Sequence, residues 1–518
     1  MKTHFAIIRA AAIGAFLLTA CSPQLVKLGP PRYANMQDDL TILTLDAPWN
    51  DVVLNLDQVI EIANQRNLDL LVLEQQVVIQ DELVVGSVQK WLPQLIYNQE
   101  ISGRNRNTGA FSESLDPTIP PAPPSISSTQ NVDRFDITLT WNLLDFGISM
   151  LKARQEANKT LILQMGYEKE RQKLILEIVK NYWRAIVARY AARESVEIMK
   201  NMRDIIRGIS LNVENQNISW LEGYRIETDF IRNMPELFRS QKEYQEILQE
   251  LAGQMGIPLG TTFELAEETE FPLYTDLLPI DEIEEYALMY RPELYSGDLQ
   301  ELVKADDVKI AMLSAVPGVS FFSGNFYDGN KFLIFDHWLQ AGLRVSFDLF
   351  RLPERMTDIK VAKYSKDLVQ QQRIALSFAV ISQVRIAYLA YLEAVELHLI
   401  MKELSQAKNR LATAGVKGFG AGDLAGSAAL TFQADALVTE IETFRTYGEV
   451  MFALERLNNA LGIPRFFVAN ALVPDYPLAK IEELGSGIGP IVGINEPRLM
   501  QELEPELPKL APDCVQQE

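Results

Sequence analysis

Apolar residues recur every four positions along two long stretches of this chain. In the first the pairs are Leu174/Ile175, Ile178/Val179, Tyr182/Trp183, Ile186/Val187 and Tyr190/Ala191; in the second, Val384, Tyr388/Leu389, Tyr391/Leu392 and Val395 stand in the same place. A spacing of four carries the stripe about 40° around an α-helix at each repeat, so the apolar surface winds instead of holding one narrow seam. Such a helix can touch neighbours on two sides. The other reading of the stripe is a two-stranded coiled coil, which wants a spacing of 3.5. Each stretch is free of proline for 110 residues, between Pro124 and Pro235 and between Pro353 and Pro464, and both are rich in good helix formers. From Gly147 to about Asn215 the first helix would be about 100 Å long.

Each stretch breaks near its middle, at the polar run Asn212 to Ser219 in the first and at Gly415, Gly418, Gly420 and Gly422 in the second. This predicts two αα-hairpins, about 147–256 and about 354–462, which stop at Gly256-Ile257-Pro258 and Gly462-Ile463-Pro464. Ahead of each hairpin the period falls to two. Phe135, Ile137, Leu139 and Trp141 alternate with Asp136, Thr138 and Thr140; Ala341, Leu343, Val345 and Phe347 alternate with Gln340, Gly342, Arg344 and Ser346. These read as half-buried strands at about 133–141 and 339–347, with partners at about 94–102 and 318–327. A soluble sandwich and a membrane barrel, whose strands are about ten residues long and apolar outside, both fit this alternation. Trp91, Trp141, Trp338 and Phe350 stand at strand ends, where an interfacial aromatic belt would place them.

The two stretches are copies of one unit. Trp141 lies over Phe347, Tyr182 over Tyr388 and Leu251 to Pro258 over Leu457 to Pro464, each displaced by 206 positions. Earlier anchors, Ala63 over Ala287 and Pro93 over Pro317, are displaced by 224, so the first copy holds 18 extra residues between about 95 and 140. That insertion contains the Pro-rich run 117–124 and reads as a long exposed loop. The expected organisation is a signal at 1–20, an extension at 21–50, repeats at 51–270 and 271–470, and a Pro- and Glu-rich tail at 471–518.

Composition narrows the function classes. A formal charge of −21 over 518 residues argues against a nucleic-acid binder, which rewards basic patches. The start of the chain, with Lys2 and Arg9 before an apolar run to Leu18, reads as an export signal. Leu18-Thr19-Ala20-Cys21 resembles a bacterial lipoprotein box, which implies acylation at Cys21 and a membrane anchor; Ser22 favours the outer membrane. Cys514 is then the only free thiol, so no disulfide framework is available. No stretch after the signal approaches eighteen consecutive apolar residues, and no transmembrane helix is expected. Catalysis has little support, because His337 and His398 stand apart, with no metal cluster or triad around them. Gly420-Ala421-Gly422-Asp423-Leu424-Ala425 matches a dinucleotide GxGxxA, but no strand precedes it. No cofactor is implied.

Taken in order, the lipoprotein box, the twofold repeat, the strand ending in Thr140-Trp141-Asn142-Leu143-Leu144-Asp145-Phe146-Gly147, the long helix through Tyr182, the tip break and the Gly-Ile-Pro stop resemble TolC-like outer-membrane factors over about 50–470. The resemblance implies a mostly helical chain that gives four strands to a trimeric, 12-stranded outer-membrane β-barrel and its hairpins to a periplasmic helical barrel. It implies a passive duct for efflux or type I secretion, docked to a periplasmic adaptor and driven by an inner-membrane pump of the RND or ABC type. The family pattern at the hairpin tip is glycine, a small polar residue and an acid at intervals of three. Here Gln216, Ser219 and Glu222 occupy those slots in the first copy, and Gly420, Asp423 and Gly426 in the second. Adaptor contact or gating would fall on Gln216, Ser219, Glu222, Gly420 and Asp423. A different class, a lipid-anchored periplasmic scaffold that conducts nothing, stays open on the residues alone.

Overall fold

The computed structural model describes residues 29–43, 52–110, 123–215, 219–266, 279–421 and 426–463, with isolated positions between 115 and 120 and at 273 and 277. Cys21, Gln216, Asp423 and the tail expected at 471–518 lie outside the described residues. In chain order the elements are α1 (Gly29–Leu43), β1 (Val52–Leu54), α2 (Leu56–Arg66), α3 (Leu68–Gln89), β2 (Gln94–Gly103), β3 (Gly109–Ala110), β4 (Ser125–Ile126), β5 (Asn131–Asn142), α4 (Leu143–Glu214), α5 (Trp220–Met255), β6 (Phe263–Leu265), α6 (Ile280–Tyr290), α7 (Pro292–Ser314), β7 (Gly318–Asp328), β8 (His337–Ser346), α8 (Leu352–Ala421) and α9 (Gly426–Leu461). A single 3₁₀ turn, Leu349–Arg351, joins β8 to α8.

Side chains set several of these boundaries. Asn142 ends β5 and caps α4, its Oδ1 accepting from the Leu144 and Asp145 amides at 3.1 and 3.4 Å. The helix therefore starts at Leu143, four residues before the expected Gly147. Asn55 and Gln58 form a reciprocal capping box on α2, each accepting from the other's amide. Asn67 separates α2 from α3: its Oδ1 accepts from Asp69 and Leu70, and its Nδ2 donates to the Gln254 carbonyl at the end of α5. In the second copy Arg291 stands at the matching elbow and donates to the Asn459 and Ala460 carbonyls at the end of α9. The two return helices end on glycines of positive φ, Gly256 at 64° and Gly462 at 75°, and both pack directly against those elbows.

One expectation is corrected at the second hairpin. Gly415, Gly418 and Gly420 lie inside α8 and do not break it. Each costs a helix about 1 kcal/mol relative to alanine, which a long packed helix absorbs. At Gly415 the missing side chain is used: a Cβ there would stand 2.7 Å from Phe432 Cδ2 and 3.6 Å from Ala429 Cα, so glycine admits the return helix. In the first hairpin α4 continues through Glu214, past the Asn212 at which the break was expected to begin. Pro235, expected within that hairpin, sits inside α5.

Four strands form one antiparallel sheet in the order β2-β5-β7-β8, so the central contact, β5 with β7, joins the two copies. Two small sheets, parallel β1-β6 and antiparallel β3-β4, add strands the period-two pattern could not reveal, because each is only two or three residues long. The insertion 103–131 carries β3 and β4 and is held to the β7–β8 turn by Asn330, which accepts from the Thr129 amide and donates to the Ser127 carbonyl. The main core gathers Ile178, Tyr182, Trp183, Ile247, Leu251, Met255, Phe263, Leu265 and Tyr391. A smaller one joins Val187, Ala191 and Met199 of α4 to Ala434, Leu437 and Ile441 of α9.

Candidate functional site

The sheet has two chemically different faces. Register and alternation place Leu95, Tyr97 and Ile101 of β2 on one face with Phe135, Ile137, Leu139 and Trp141 of β5, Phe321 of β7 and Leu339, Leu343 and Val345 of β8. Nearly all of these are solvent-exposed in the chain. The other face is polar. Arg134 pairs with Asp328 at 2.9 Å and with Glu100 at 3.9 Å, and Asn98 donates to Asp136 at 3.1 Å. Phe326 and Trp338 stack there at 5.7 Å, and the Arg344 guanidinium rests over the Phe322 ring at 5.5 Å. The Phe322 and Phe326 rings lie over Gly342 and Gly324, where a Cβ would come within 2.8 and 2.9 Å of them. The strands run 10 to 12 residues, and β2 and β8 each have one unpaired edge among the described residues.

The helices repeat this asymmetry. α4 packs against α3 and α5 on the side of its own copy and against α7 and α9 on the other. The helices that α8 packs against extensively are α6, α7 and α9, so one flank is bare among the described residues. Its side chains record the difference: Tyr182 and Trp183 of α4 are buried, whereas Leu389, which matches Trp183 by 206 positions, is 62% exposed. Of the two stripe tyrosines of α8, Tyr391 is buried on the flank that has neighbours and Tyr388 is half-buried. The α8 region holds an eighteen-residue window of mean hydropathy 1.5, of which 22% is buried. By length and composition alone that window could cross a membrane, although it holds no run of eighteen consecutive apolar residues. α3 has a bare apolar flank too, with Leu71, Val72, Ile79 and Leu83 exposed.

Polar ties lock the packed flanks. Asp306, buried, receives Arg154 through two nitrogens and Lys309 at 3.2 Å. Tyr190 donates to Glu440 at 2.8 Å, and burial together with that carboxylate pushes the phenol well above its ordinary value. Burial also raises Glu156, but hydrogen bonds from Lys159 and Gln80 outweigh it and hold the carboxyl below its usual range. Among the described residues no group of three or more His, Cys, Asp or Glu is placed to hold a metal ion. His398 is buried with Nδ1 3.1 Å from Thr446 Oγ1, and His337 Nδ1 lies 2.8 Å from Asp336 Oδ1.

The candidate site residues are distributed as follows. Ser219 is exposed at the N-cap of α5, its carbonyl accepting from Gly223, and makes no side-chain cap bond; Glu222 is in the first turn. Gly420 lies in the last turn of α8 with nothing within 4 Å of a Cβ. Trp91 and Trp141 each meet Phe146 edge-on, at 6.3 and 5.8 Å, in an aromatic knot where strands pass into helices. Phe350 is 98% exposed at the matching junction of the second copy. Trp338 departs from the other three: it is at the far end of the sheet and on the polar face with Gln340 and Arg344, because its position in β8 is even where Leu339 and Leu343 are odd. The elbow residues Asn67 and Arg291 escaped sequence reasoning, although their separation of 224 was a signal.

No family model matches the chain, and no curated protein matches it. Solved structures do. The outer membrane channel CmeC of Campylobacter jejuni superposes with a TM-score of 0.64 at 13% identity, over 82% of this chain and 91% of that one. The open state of the MtrE outer membrane channel of Neisseria gonorrhoeae gives 0.61 at 14% identity, over 81% and 94%. The outer-membrane channel OprN gives 0.61 at 16% identity, over 79% and 89%. Four strands in one open sheet, two long hairpins and these superpositions lead to one conclusion: the chain has the fold of the TolC-like outer-membrane channels.

Proposed function

We propose that this protein is the outer-membrane exit duct of an efflux system and works as a homotrimer. The observation that carries this is the bare flank of α8, whose counterpart on α4 is covered by α7 and α9 of the other copy. If the relation between the two copies is applied once more, the next cover for α8 is the α3 and α5 of another chain. The same step sets the unpaired edge of β8 beside the unpaired edge of β2. Four strands are too few for a barrel, and an open edge in lipid would leave backbone groups without partners, each at a cost of several kcal/mol. Two chains would give eight strands and three would give twelve; the family resemblance selects three.

In this assembly the apolar sheet face meets lipid and the polar face lines the lumen. The apolar α8 window is then a contact between chains: a helix of 70 residues is about 105 Å long, several times the thickness of a bilayer, and its Arg385 is held by Glu284. Trp91, Trp141 and Phe350 fall at the periplasmic edge of the lipid. Acylated Cys21 anchors the chain, and the hairpin tips at Gln216, Ser219, Glu222, Gly420 and Asp423 meet a periplasmic adaptor fed by an inner-membrane pump. The full-length protein should fractionate with the outer membrane, run as a heat-sensitive, SDS-resistant trimer and conduct ions in planar bilayers. A monomer that conducts nothing would refute the duct and leave the lipid-anchored scaffold.

A further inference from the structure

We infer that β8 of one chain pairs with β2 of the next in a fixed register, with Arg344 opposite Glu100 and Leu343 opposite Ile101. This rests on the trimeric reading and specifies its seam. Within each copy the strands pair identically: Leu95 with Leu139 in the first becomes Val319 with Val345 in the second, by displacements of 224 and 206. The junction between copies is also observed, in β5 with β7, where Thr138 faces Gly324, Ile137 faces Asn325 and Trp141 faces Phe321. Moving the β5 members forward by 206 and the β7 members back by 224 converts that junction into β8 against the β2 of another chain. Thr138–Gly324 becomes Arg344–Glu100, Ile137–Asn325 becomes Leu343–Ile101, and Trp141–Phe321 becomes Phe347–Tyr97.

The chemistry of these pairs is independent of the arithmetic and agrees with it. Arg344 and Glu100 carry opposite charges and share the polar face. Leu343 and Ile101 share the apolar face and are 71% and 79% exposed in the single chain. Phe347 and Tyr97 make an aromatic pair on the same face, four residues along the seam. Directly opposed residues place their Cβ atoms about 4.5–5.5 Å apart, within reach of each of these contacts. A slip of one residue would set Arg344 against Ile101 in one direction, or Leu343 against Glu100 in the other, exchanging the faces along the whole seam. A slip of two keeps the faces but sets Arg344 against Ser102 or Asn98, and the ion pair is lost.

Cysteine cross-linking in the full-length protein tests the register, in a Cys514→Ser background. Leu343→Cys is combined in turn with Gln99→Cys, Ile101→Cys and Gly103→Cys, and the outer membranes are oxidised before denaturing, non-reducing electrophoresis. The Ile101 combination should yield covalent trimers at least tenfold more efficiently than the other two, since a disulfide needs Cβ atoms within about 4.5 Å and a displacement of two residues exceeds that. Strongest cross-linking through residue 99 or 103, or none with all three while the trimer persists, overturns the register but leaves the duct standing. Absence of a trimer overturns both. Charge reversal gives a second reading: Arg344→Glu should lower the temperature at which the trimer dissociates, and adding Glu100→Arg should restore it; failure of the double variant to recover counts against the pair.

Discussion

Three glycines within eight residues make opposite predictions for one chemical change. At Gly253, inside α5, a Cβ would meet nothing within 4 Å, so Gly253→Ala gains helix propensity and raises stability by about 1 kcal/mol. At Gly260 the space is equally open but φ is 88°, so alanine carries only backbone strain, about 1–2 kcal/mol, partly offset by the stiffer unfolded chain. Gly256 combines both penalties. Its φ is 64°, and a Cβ would overlap the Arg66 carbonyl oxygen and stand 2.9 Å from the carbonyl carbon, against an ordinary carbon contact of about 3.5–4.0 Å. The obstacle is backbone and cannot rotate away; the α2–α3 elbow, pinned by Asn67 to Gln254, would have to retreat by roughly 0.6 Å or more. Strain of about 1–2 kcal/mol plus overpacking of about 1–3 gives a loss of about 2–5 kcal/mol. With an unfolding entropy of about 2.1 cal/mol/K per residue, 518 residues make each kcal/mol worth roughly 1 °C. Thermal scans followed at 222 nm in one detergent and at one scan rate should therefore rank Gly253→Ala above wild type, then Gly260→Ala, then Gly256→Ala. A Gly256→Ala protein that melts with wild type, or shifts in the same direction as Gly253→Ala, would refute the elbow packing.

Other sites offer independent checks. Pro235→Ala, at an exposed position inside α5, should stabilise by up to about 3 kcal/mol in the same scans; a loss would mean that α5 packing requires the proline. Arg291→Met removes a buried guanidinium from two helix-end carbonyls and leaves Glu293 only its longer, 3.9 Å pair with Lys169, costing about 3–5 kcal/mol, and Glu293→Gln in that background should recover part of it. Glu156 has a depressed folded-state pKa, so its contribution is present above the ordinary value of 4.5 and fades as pH falls through the depressed one. Glu156→Gln should thus melt below wild type at neutral pH, and the gap should close on acidification; a gap constant with pH would exclude this linkage.

The helical half of the fold was largely legible because long periodic segments carry redundant signal, and its errors have definite causes. Spacing of apolar pairs locates α4 and α8 but not their ends, which depend on single capping residues such as Asn142. The glycines near 415 looked like a turn because local propensity disfavours them in helices; their role at Gly415 is a contact with Phe432, from the return helix, that no local rule contains. The stripe of α8 holds both Tyr388, which matches Tyr182 by 206 positions, and Tyr391; only Tyr391 is buried, because a stripe with neighbours on only one side buries a subset of its rows.

The sheet was legible in a different sense. Period two assigns each residue a face whatever its chemistry, and parity alone puts Trp338 with Gln340 and Arg344, a constraint that its strand-end position does not express. What the chain could not reveal at any single position is that the two copies are unequal in their surroundings. α4 lies between two sets of helices and α8 beside one, although both carry an apolar surface wide enough for two. The 206-residue displacement is therefore more than a record of duplication. Applied once it maps one half of the chain onto the other, and applied again it reaches past β8 and α8 to the positions that the proposed assembly fills with a further copy of β2, α3 and α5.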